Sequence, residues 1–471
     1  MIPLLALVVF VPFLSIIALF LVPERHSFNV VLAATLLASA LALAAVASGL
    51  GQGFAQLSFT LPYISSLGIS LVFSLTQYSD IFVVMSAVVL LASAMAAGSF
   101  IKESRRIYNT LFLLVAGSAF GLFLSGNLVF FYLFFELSEV SMFFMIYIFG
   151  GYDRRYAAMK FLVYSIAASL ALLIGVMVVY SGTAPNTFSI AGILSQSLSI
   201  PAGTQVLALA LLLLAFLIKL PVFPFHGWMA DAYTEAPTTG SMVLARILPQ
   251  LGGYGLLLMF LMLPVASDYS IYIAALLGFS ALYSALVAVK QVHIKRTIAY
   301  ASMLDMGIAS FGIAAIGTLG VQGGLYLMLS HGIAISLLFL VAGALDEAYG
   351  TLLISKLKGA IRNTPVLAYS FIFGSFATIG IPLTAGFVGE LLVFSGAVHA
   401  FGRFGVVPLA AVLIMGAVLF WIIERSIMNS SKGTSPFAYP GRAILAAMLF
   451  LAASTIVLGI LPGVLLAPFA A

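Results

Sequence analysis

Cysteine is absent from the 471 residues of this chain. Disulfide bridges, thiolate metal sites, iron–sulfur clusters and thiol catalysis are therefore excluded together. Charge is also scarce, because Asp, Glu, Lys and Arg make up only 7% of the residues, against about a quarter in an ordinary soluble domain. Since 63% of the residues are hydrophobic, no charged coat can enclose them, and lipid must be the solvent for most side chains.

Sequence motifs of soluble enzymes are missing as well. No G-x-G-x-x-G follows a strand, and neither a Walker loop nor H-E-x-x-H occurs. The five histidines are scattered, which disfavours a metal cluster. Haem ligation by two of His226, His293 and His331 is disfavoured too, because His226 and His293 fall at the ends of apolar runs. The sequence therefore predicts no cofactor, no metal and no nucleic-acid partner.

Apolar runs long enough to cross a bilayer dominate the chain. A membrane-spanning helix needs about 20 apolar residues, and polar residues or Gly and Pro separate fourteen such runs. The stretch 50–79 is apolar but rich in Gly, Ser and Gln, and it fits a loop, a re-entrant segment or part of a span. The sequence predicts an all-α polytopic membrane protein of about fourteen transmembrane helices, at roughly 2–22, 28–49, 80–101, 107–125, 128–149, 156–181, 205–225, 239–262, 270–289, 297–317, 321–345, 365–400 with an interruption, 405–425 and 443–466.

Basic residues between the runs indicate the orientation in the membrane. If the spans alternate in direction, these residues fall in the odd-numbered loops, and Arg403 alone lies in a loop of the other set. Cytoplasmic loops carry an excess of Lys and Arg, so both termini are predicted to lie outside, with a prokaryotic plasma membrane as the expected location. The residues of the odd loops are Arg25, Lys102, Arg105, Arg106, Arg154, Arg155, Lys290, Lys295, Arg296, Lys356, Lys358, Arg362, Arg425, Lys432 and Arg442.

Proline and glycine interrupt two spans at similar depth. Residues 219–224 break the seventh span, and residues 380–386 break the twelfth, five spans later. A repeat of five helices must insert its second copy upside down, and broken helices at equivalent places in inverted halves mark a transport path near the membrane midplane. Two ordinary proline kinks are the alternative interpretation, since Pro and Gly are common in membrane helices.

Ionisable side chains inside the apolar runs are the most informative residues. Each costs about 2.5–3.5 kcal/mol on insertion scales, so each must face a partner, water or the bundle interior. Glu136 and Glu139 share a helix face, where two carboxylates hinder each other's ionisation and so suit proton capture. For any one residue, a structural salt bridge or a side chain reaching to the interface is the alternative. A series at midplane depth instead marks an ion pathway, and the series continues with Lys219, Arg246, Asp305, His331 and Glu390.

A long motif at the first break is recognisable. Residues 219–241 include Lys219, His226 and Asp231 and end in Ala-Pro-Thr-Thr-Gly-Ser. The motif resembles the signature of the antiporter-like membrane subunits of respiratory complex I, a family that also includes large subunits of multisubunit sodium/proton antiporters and of membrane-bound energy-converting hydrogenases. The segment 380–390 is most similar to the M-type subunit. Supporting matches between about residues 80 and 395 are 127–136, 158–164, 291–302 and 330–332.

The resemblance implies a fourteen-helix pump module with two inverted five-helix repeats, each providing a half-channel through a broken helix. It implies that Glu136 and Lys219 form the interacting pair of the first half, that His331 belongs to a central relay and that Glu390 is the terminal acid. Flavin, iron–sulfur clusters and quinone belong to other subunits of such complexes. The implied organisation is 1–106 for helices 1–3, 107–265 for the first half-channel, 266–428 for the second and 429–471 for helix 14.

Several positions depart from the family pattern. Gln250 stands where a lysine is expected, and Arg246, four residues earlier on the same face, is expected to supply the positive charge without releasing a proton. A histidine and an aspartate are exchanged at His293 and Asp305, so Asp305 is predicted to titrate there. Glu139 is an extra acid without a family counterpart, and it joins His226 and Gln250 as secondary candidates.

Three functions compete at this stage. The leading hypothesis is an ion-translocating subunit, with protons as the ion, of a redox-driven complex of the complex I or energy-converting hydrogenase type; other membrane subunits are the expected partners. The alternative is a subunit of a multisubunit sodium/proton antiporter without a redox partner. A structural membrane scaffold with fixed ion pairs is the third. Nickel–iron or quinone-reductase subunits in the gene neighbourhood favour the first, and small antiporter subunits alone favour the second.

The orientation is tested by labelling single cysteines introduced into this cysteine-free chain. Reagents that do not cross the membrane should reach a cysteine near residue 293 only from the cytoplasmic side, because that loop carries Lys290, Lys295 and Arg296. Labelling from the outside contradicts the predicted topology.

Overall fold

The computed structural model describes residues 4–52, 54, 57–64, 67–357, 359–428 and 439–469. Lys358 and Lys432, two of the basic residues used to predict orientation, lie outside the described residues. Within the described ranges, fourteen helices are long and apolar enough to cross a membrane. The predicted all-α polytopic membrane fold is therefore confirmed.

The first part of the chain forms six long helices and one hairpin before the first break. The helices begin and end close to the predicted runs, with the two strands between the second and third helices. The elements are α1 (Leu4–Leu21), α2 (Ser27–Gln52), β1 (Ser58–Ile64), β2 (Ile69–Ser74), α3 (Ser79–Phe100), α4 (Arg105–Leu124), α5 (Leu128–Phe149) and α6 (Arg154–Gly182).

The remainder contains both broken spans. The first consists of α8 and the short α9, and the second consists of α15 and α16. The elements are α7 (Ile190–Gln196), α8 (Ala202–Lys219), α9 (Met229–Glu235), α10 (Thr238–Met262), α11 (Ser270–Ala288), α12 (Ile294–Ala314), α13 (Thr318–Tyr349), α14 (Ala360–Asn363), α15 (Pro365–Thr378), α16 (Ala385–Phe401), α17 (Leu409–Ile422), α18 (Arg442–Ile460) and α19 (Gly463–Leu466).

Burial separates a central row of helices from a peripheral set. The most apolar stretches of α10 and α13 are buried throughout, and that of α12 nearly so. On α1, by contrast, Leu14, Ile17 and Phe20 are exposed, as expected where lipid is the solvent. The polar and charged side chains within these buried stretches therefore lie at the centre of the bundle.

The first broken span satisfies its backbone without a continuous helix. The 3-10 turn Phe225–Trp228 separates α8 from α9. The Trp228 indole donates to the Ile218 carbonyl at 3.0 Å, and the Phe223 amide donates to Ser280 Oγ at 3.0 Å. Such partners are what a membrane interior requires of non-helical backbone, and they fix Lys219, the last residue of α8, beside the break.

The second broken span leaves the helix at Thr378 and resumes at Ala385. Gly380 has a φ of +63°, which glycine adopts without strain. A Cβ at Gly380 would also lie 2.7 Å from Oε2 of Glu390. Glycine at this position therefore both turns the chain and makes room for the Glu390 carboxylate.

The stretch 50–79, whose form the sequence left open, contains an antiparallel hairpin of β1 and β2. The hairpin is joined to the start of α5, because the Gly126 amide donates to the Val72 carbonyl at 2.8 Å. Phe73 is buried against Phe10 and Phe134. This element caps the end of the bundle opposite the basic loops.

Close packing of α16 on α13 generates a prediction for Gly389. A Cβ at Gly389 would lie 2.7 Å from the backbone nitrogen of Leu327, so Gly389→Ala must push the two helices apart, at a cost of about 1–3 kcal/mol. The thermal denaturation midpoint of the assembled protein should fall. Gly463→Ala is the matched control, since among the described residues nothing beyond its own helix and chain neighbours lies within 4 Å of its Cβ position. Equal midpoints for the two variants would contradict this packing.

Candidate functional site

Lys219 forms a buried ion pair with Glu139. Its Nζ contacts Glu139 Oε1, and the side chains of Lys219 and Glu139 are only 1% and 4% exposed. Ser165 on α6 accepts a second hydrogen bond from Nζ at 2.9 Å. An ion pair with a further hydrogen bond is the arrangement by which a charge is accommodated away from water.

This pairing corrects the sequence prediction, which made Glu136 the partner of Lys219. The reason is the rotation of α5: Phe135 and Glu139, four residues apart, share the face towards Lys219, whereas Glu136 is turned about 100° from Phe135. Glu136 is half-buried. In the described part of the chain its Oε1 has no hydrogen-bond partner. The supposedly extra acid Glu139 is thus the partner that the structure provides.

Aromatic rings enclose the same ammonium group. Lys219 Nζ lies 5.3 Å from the ring centre of Phe135, 5.6 Å from that of Phe161 and 6.0 Å from that of Trp228. Ring faces attract a cation within about 6 Å. The rings therefore stabilise the charge on Lys219 while excluding the water that would screen its pair.

A second cluster joins α12 to α13. His331 Nδ1 lies 3.0 Å from Asp305 Oδ2, and His331 Nε2 lies 3.0 Å from Ser302 Oγ. All three side chains are buried. An ionised carboxylate can only accept, so beside ionised Asp305 the ring proton resides on Nδ1, and Nε2 accepts from the Ser302 hydroxyl. The predicted members Asp305 and His331 are thus brought into direct contact.

Arg246 occupies the middle of α10 and is fully buried. Among the described residues, none of its three guanidinium nitrogens has a hydrogen-bond partner. Gln250 lies one turn later, and its Nε2 donates to the Met328 carbonyl of α13 at 3.0 Å. Arg246 therefore lies beside the helix that carries His331, since a Cβ at Gly332 would lie 3.4 Å from Arg246 Cγ, whereas Gln250 links two helices.

Glu390 and His226 lie at the two breaks. Glu390 follows the second break on α16, with its carboxylate against Gly380. A Cβ at Gly386, on the same helix, would lie 3.4 Å from Oγ of Ser330, the neighbour of His331. His226 is half-buried and packs against the rings of Phe223 and Tyr283, at 5.8 and 5.0 Å between ring centres. Glu390 therefore lies on a helix packed against the helix of His331, and His226 lies among aromatic rings.

Asp231 forms a bridge to which sequence reasoning assigned no role. Its two carboxylate oxygens accept from Lys160 Nζ at 2.8 Å and from Arg296 Nη2 at 2.9 Å. Lys160 lies on α6 and Arg296 on α12, so α9 is held from both sides. Asp231 lies in the motif 219–241 and Lys160 in the matching segment 158–164, but only the fold shows that their side chains are in contact.

A metal centre is not indicated by the described residues, which bring no three His, Asp or Glu side chains together in a suitable group. The charged groups instead follow a row of packed helices, because α8 packs on α10, α10 packs on α12 and α13, and α13 packs on α16. Fold and site together define a polytopic membrane protein with a central series of ionisable groups and two broken helices.

Comparison with known proteins identifies the family. A sequence-family profile described as "NADH:quinone oxidoreductase/Mrp antiporter, TM" matches residues 125–415. NADH-quinone oxidoreductase subunit M of Rickettsia prowazekii is 36% identical over 368 residues, which cover 78% of this chain and 74% of the relative. The F(420)H(2) dehydrogenase subunit M of Methanosarcina mazei is 36% identical over 336 residues, which cover 69% of this chain and 68% of the relative.

A solved structure agrees over nearly the whole length. A chain of respiratory complex I from Thermus thermophilus, with bound NADH, superimposes with a TM-score of 0.91 at 26% identity, covering 99% of this chain and 98% of that one. The protein therefore belongs to the NADH:quinone oxidoreductase/Mrp antiporter family of ion-translocating membrane subunits, as the resemblance in its motifs predicted.

The buried guanidinium of Arg246 generates a prediction about ion translocation. Methionine fills a similar volume but carries no charge, so Arg246→Met should sharply lower ion translocation per assembled protein. Gln250→Met, the matched variant one turn away, should lower the thermal denaturation midpoint through loss of the Met328 hydrogen bond and leave translocation mildly affected. The opposite ranking in translocation would place Gln250 rather than Arg246 on the path.

Proposed function

We propose that this chain is the proton-translocating membrane subunit of a redox-driven complex of the NADH:quinone oxidoreductase or membrane-bound hydrogenase type. It supplies the ion path, and other subunits supply electron transfer. The single observation that carries the proposal is the Lys219–Glu139 pair, a buried acid and base beside a broken helix. The relatives, which are named as subunits of such oxidoreductases, support the same assignment.

The pair acts as a switch between two proton distributions. While Glu139 is ionised and close, it stabilises the ammonium form of Lys219. A displacement of α5 or α8 that separates the two groups withdraws this stabilisation, and Lys219 then releases its proton to water or to the next group in the row. One N–H bond is broken and one bond to the acceptor is formed, so the step moves a proton without any redox change at this chain.

The row beyond Lys219 provides the acceptors. Arg246 acts through its fixed charge, which lowers the proton affinity of neighbouring groups and so favours the release of a proton from them. The Ser302–His331–Asp305 triad receives the proton at Nε2 of His331 and passes the Nδ1 proton to Asp305. Glu390, on the helix packed against α13, is the last acid before release.

We assign the two halves of the path to 107–265 and 266–428, as inverted five-helix repeats, with 1–106 and 429–471 flanking them. The broken spans support this division, since one break follows Lys219 and the other precedes Glu390. Asp231 provides a connection between the halves because it binds Lys160 of the first and Arg296 of the second. We place the chain in a prokaryotic plasma membrane with both termini outside, on the positive-inside rule.

A multisubunit sodium/proton antiporter without a redox partner is the second candidate, because the family profile covers both kinds of protein. Ion movement that persists without an electron donor and depends on a sodium gradient supports this candidate. Proton movement that follows electron transfer supports the redox-driven complex.

The role of the pair predicts a specific pattern of variants. Lys219→Arg keeps the positive charge but cannot release a proton at physiological pH, so assembly should persist while proton translocation is nearly abolished. Glu139→Gln should also nearly abolish it, and Glu136→Gln should cause a smaller defect. The measurement is proton uptake by the reconstituted complex, normalised to assembled protein.

Glu103→Gln is the matched control, since Glu103 is exposed in a loop and its change should leave proton uptake unaltered. Proton translocation at the normal rate in Lys219→Arg would show that the lysine holds the structure and does not carry protons.

A further inference from the structure

A polar cavity of about 370 Å³ lies at the end of the bundle that carries the basic loops. Its walls come from the ends of α3, α5, α9 and α13 and from the start of α12. Asp346 and Glu347 are exposed and mark its mouth, whereas Lys295 is only 7% exposed and marks its floor. The cavity therefore leads from the surface to a buried amine, separately from the Lys219–Glu139 pair.

Lys295 is held without a carboxylate in contact. Its Nζ donates to the backbone carbonyls of Thr234 and Ala236, at 3.4 and 3.2 Å. In the described residues no carboxylate lies within 4.0 Å of it, while Glu235 and Asp346, which also line the cavity, act on its charge from a greater distance. Lys295 also occupies the first turn of α12, where the helix dipole opposes a positive charge. A lysine in this setting is suited to gaining and losing a proton.

Lys295 and the triad share one face of α12. Lys295 and Ser302 are seven residues apart on this helix, which places them about 10 Å apart, with the buried apolar residues Ile298 and Ala299 between them. The hydroxyl of Tyr233 on α9 lies next to Ser302, and Ser302 in turn contacts His331. Tyr233 also precedes Thr234, whose carbonyl accepts from Lys295, so α9 spans the distance between the floor of the cavity and the triad.

His293 lines the cavity beside Lys295, at the residue before α12 begins. Burial lowers the pKa of His293. A neutral imidazole at this point adds no positive charge that would repel an incoming proton.

We infer that this cavity is a proton inlet that serves the Ser302–His331–Asp305 triad directly, with Lys295 as its first buried acceptor. The inference rests on the proposed function of the chain. A proton passes from cavity water to the neutral amine of Lys295, and then through water and the hydroxyls of Tyr233 and Ser302 to Nε2 of His331. Each transfer breaks one O–H or N–H bond and forms another, and water is the only co-reactant.

Blocking the cavity tests the inlet. In the reconstituted complex, a bulky neutral methanethiosulfonate reagent on His293→Cys should reduce proton translocation to the background rate, and removal of the reagent by a reductant should restore it. Val292→Cys, modified in the same way, is the matched control and should pump normally. Val292 precedes His293 in the chain and is 66% exposed, but it is not among the described residues that line the cavity. The unsubstituted complex treated with the same reagent accounts for cysteines of other subunits.

A substitution series at Lys295 separates proton transfer from packing. Lys295→Met should lower translocation by about tenfold or more, and Lys295→His, which retains a titratable nitrogen, should restore a large part of it. Equal losses in the two variants, or full translocation by modified His293→Cys, would overturn the inlet. If Lys219→Arg abolishes translocation in the same preparation while the blocked cavity has no effect, the inlet alone is wrong. If Lys219→Arg also pumps normally, the proposed function fails as well.

Discussion

The low dielectric of the membrane interior is the constraint on which this structure depends. A charge placed there must be paired, solvated or neutral, and the chain meets this requirement in different ways at Lys219 and at His331. Lys219 has Glu139, Ser165 and three aromatic rings, whereas His331 has a carboxylate on one ring nitrogen and a hydroxyl on the other. In the proposed mechanism each arrangement holds a group that carries a proton, so the contacts that accommodate the charge also control its movement.

The broken helices follow from the same constraint. Non-helical backbone inside a membrane is tolerated only where protein groups satisfy it, as Trp228 and Ser280 do at the first break. Because α9 is short, its position depends on the groups at its ends, and Asp231 connects it to both α6 and α12. A movement of α9 therefore displaces Lys160 on α6 and also α12, the helix that carries Ser302 and Asp305.

Composition and run length were enough to predict the helices, because a bilayer permits few alternatives to them. The breaks were predicted as well, from Pro221, Pro224 and Gly380.

The carboxylate that pairs with Lys219 was not predicted correctly. At a spacing of three residues, Glu136 and Glu139 are separated by only about 60° of rotation, and the choice between them depends on how α5 turns towards α8. The hairpin of β1 and β2 was not predicted, because a stretch that is apolar yet rich in Gly, Ser and Gln fits a loop, a re-entrant segment or part of a span. The Asp231 bridge was not predicted either. Asp231 is separated along the chain from Lys160 by 71 positions and from Arg296 by 65 positions, so no local sequence pattern reveals these contacts.

The central claim is that the Lys219–Glu139 pair moves protons and is not a fixed support. Exchanging the two residues, in the double variant Glu139→Lys/Lys219→Glu, tests this most directly, because an exchanged pair retains the attraction but reverses the positions of donor and acceptor. The measurement is the ratio of protons translocated to electrons transferred in the reconstituted complex, together with its assembly. The account predicts normal assembly with a reduced ratio. A normal ratio in the exchanged variant would contradict it.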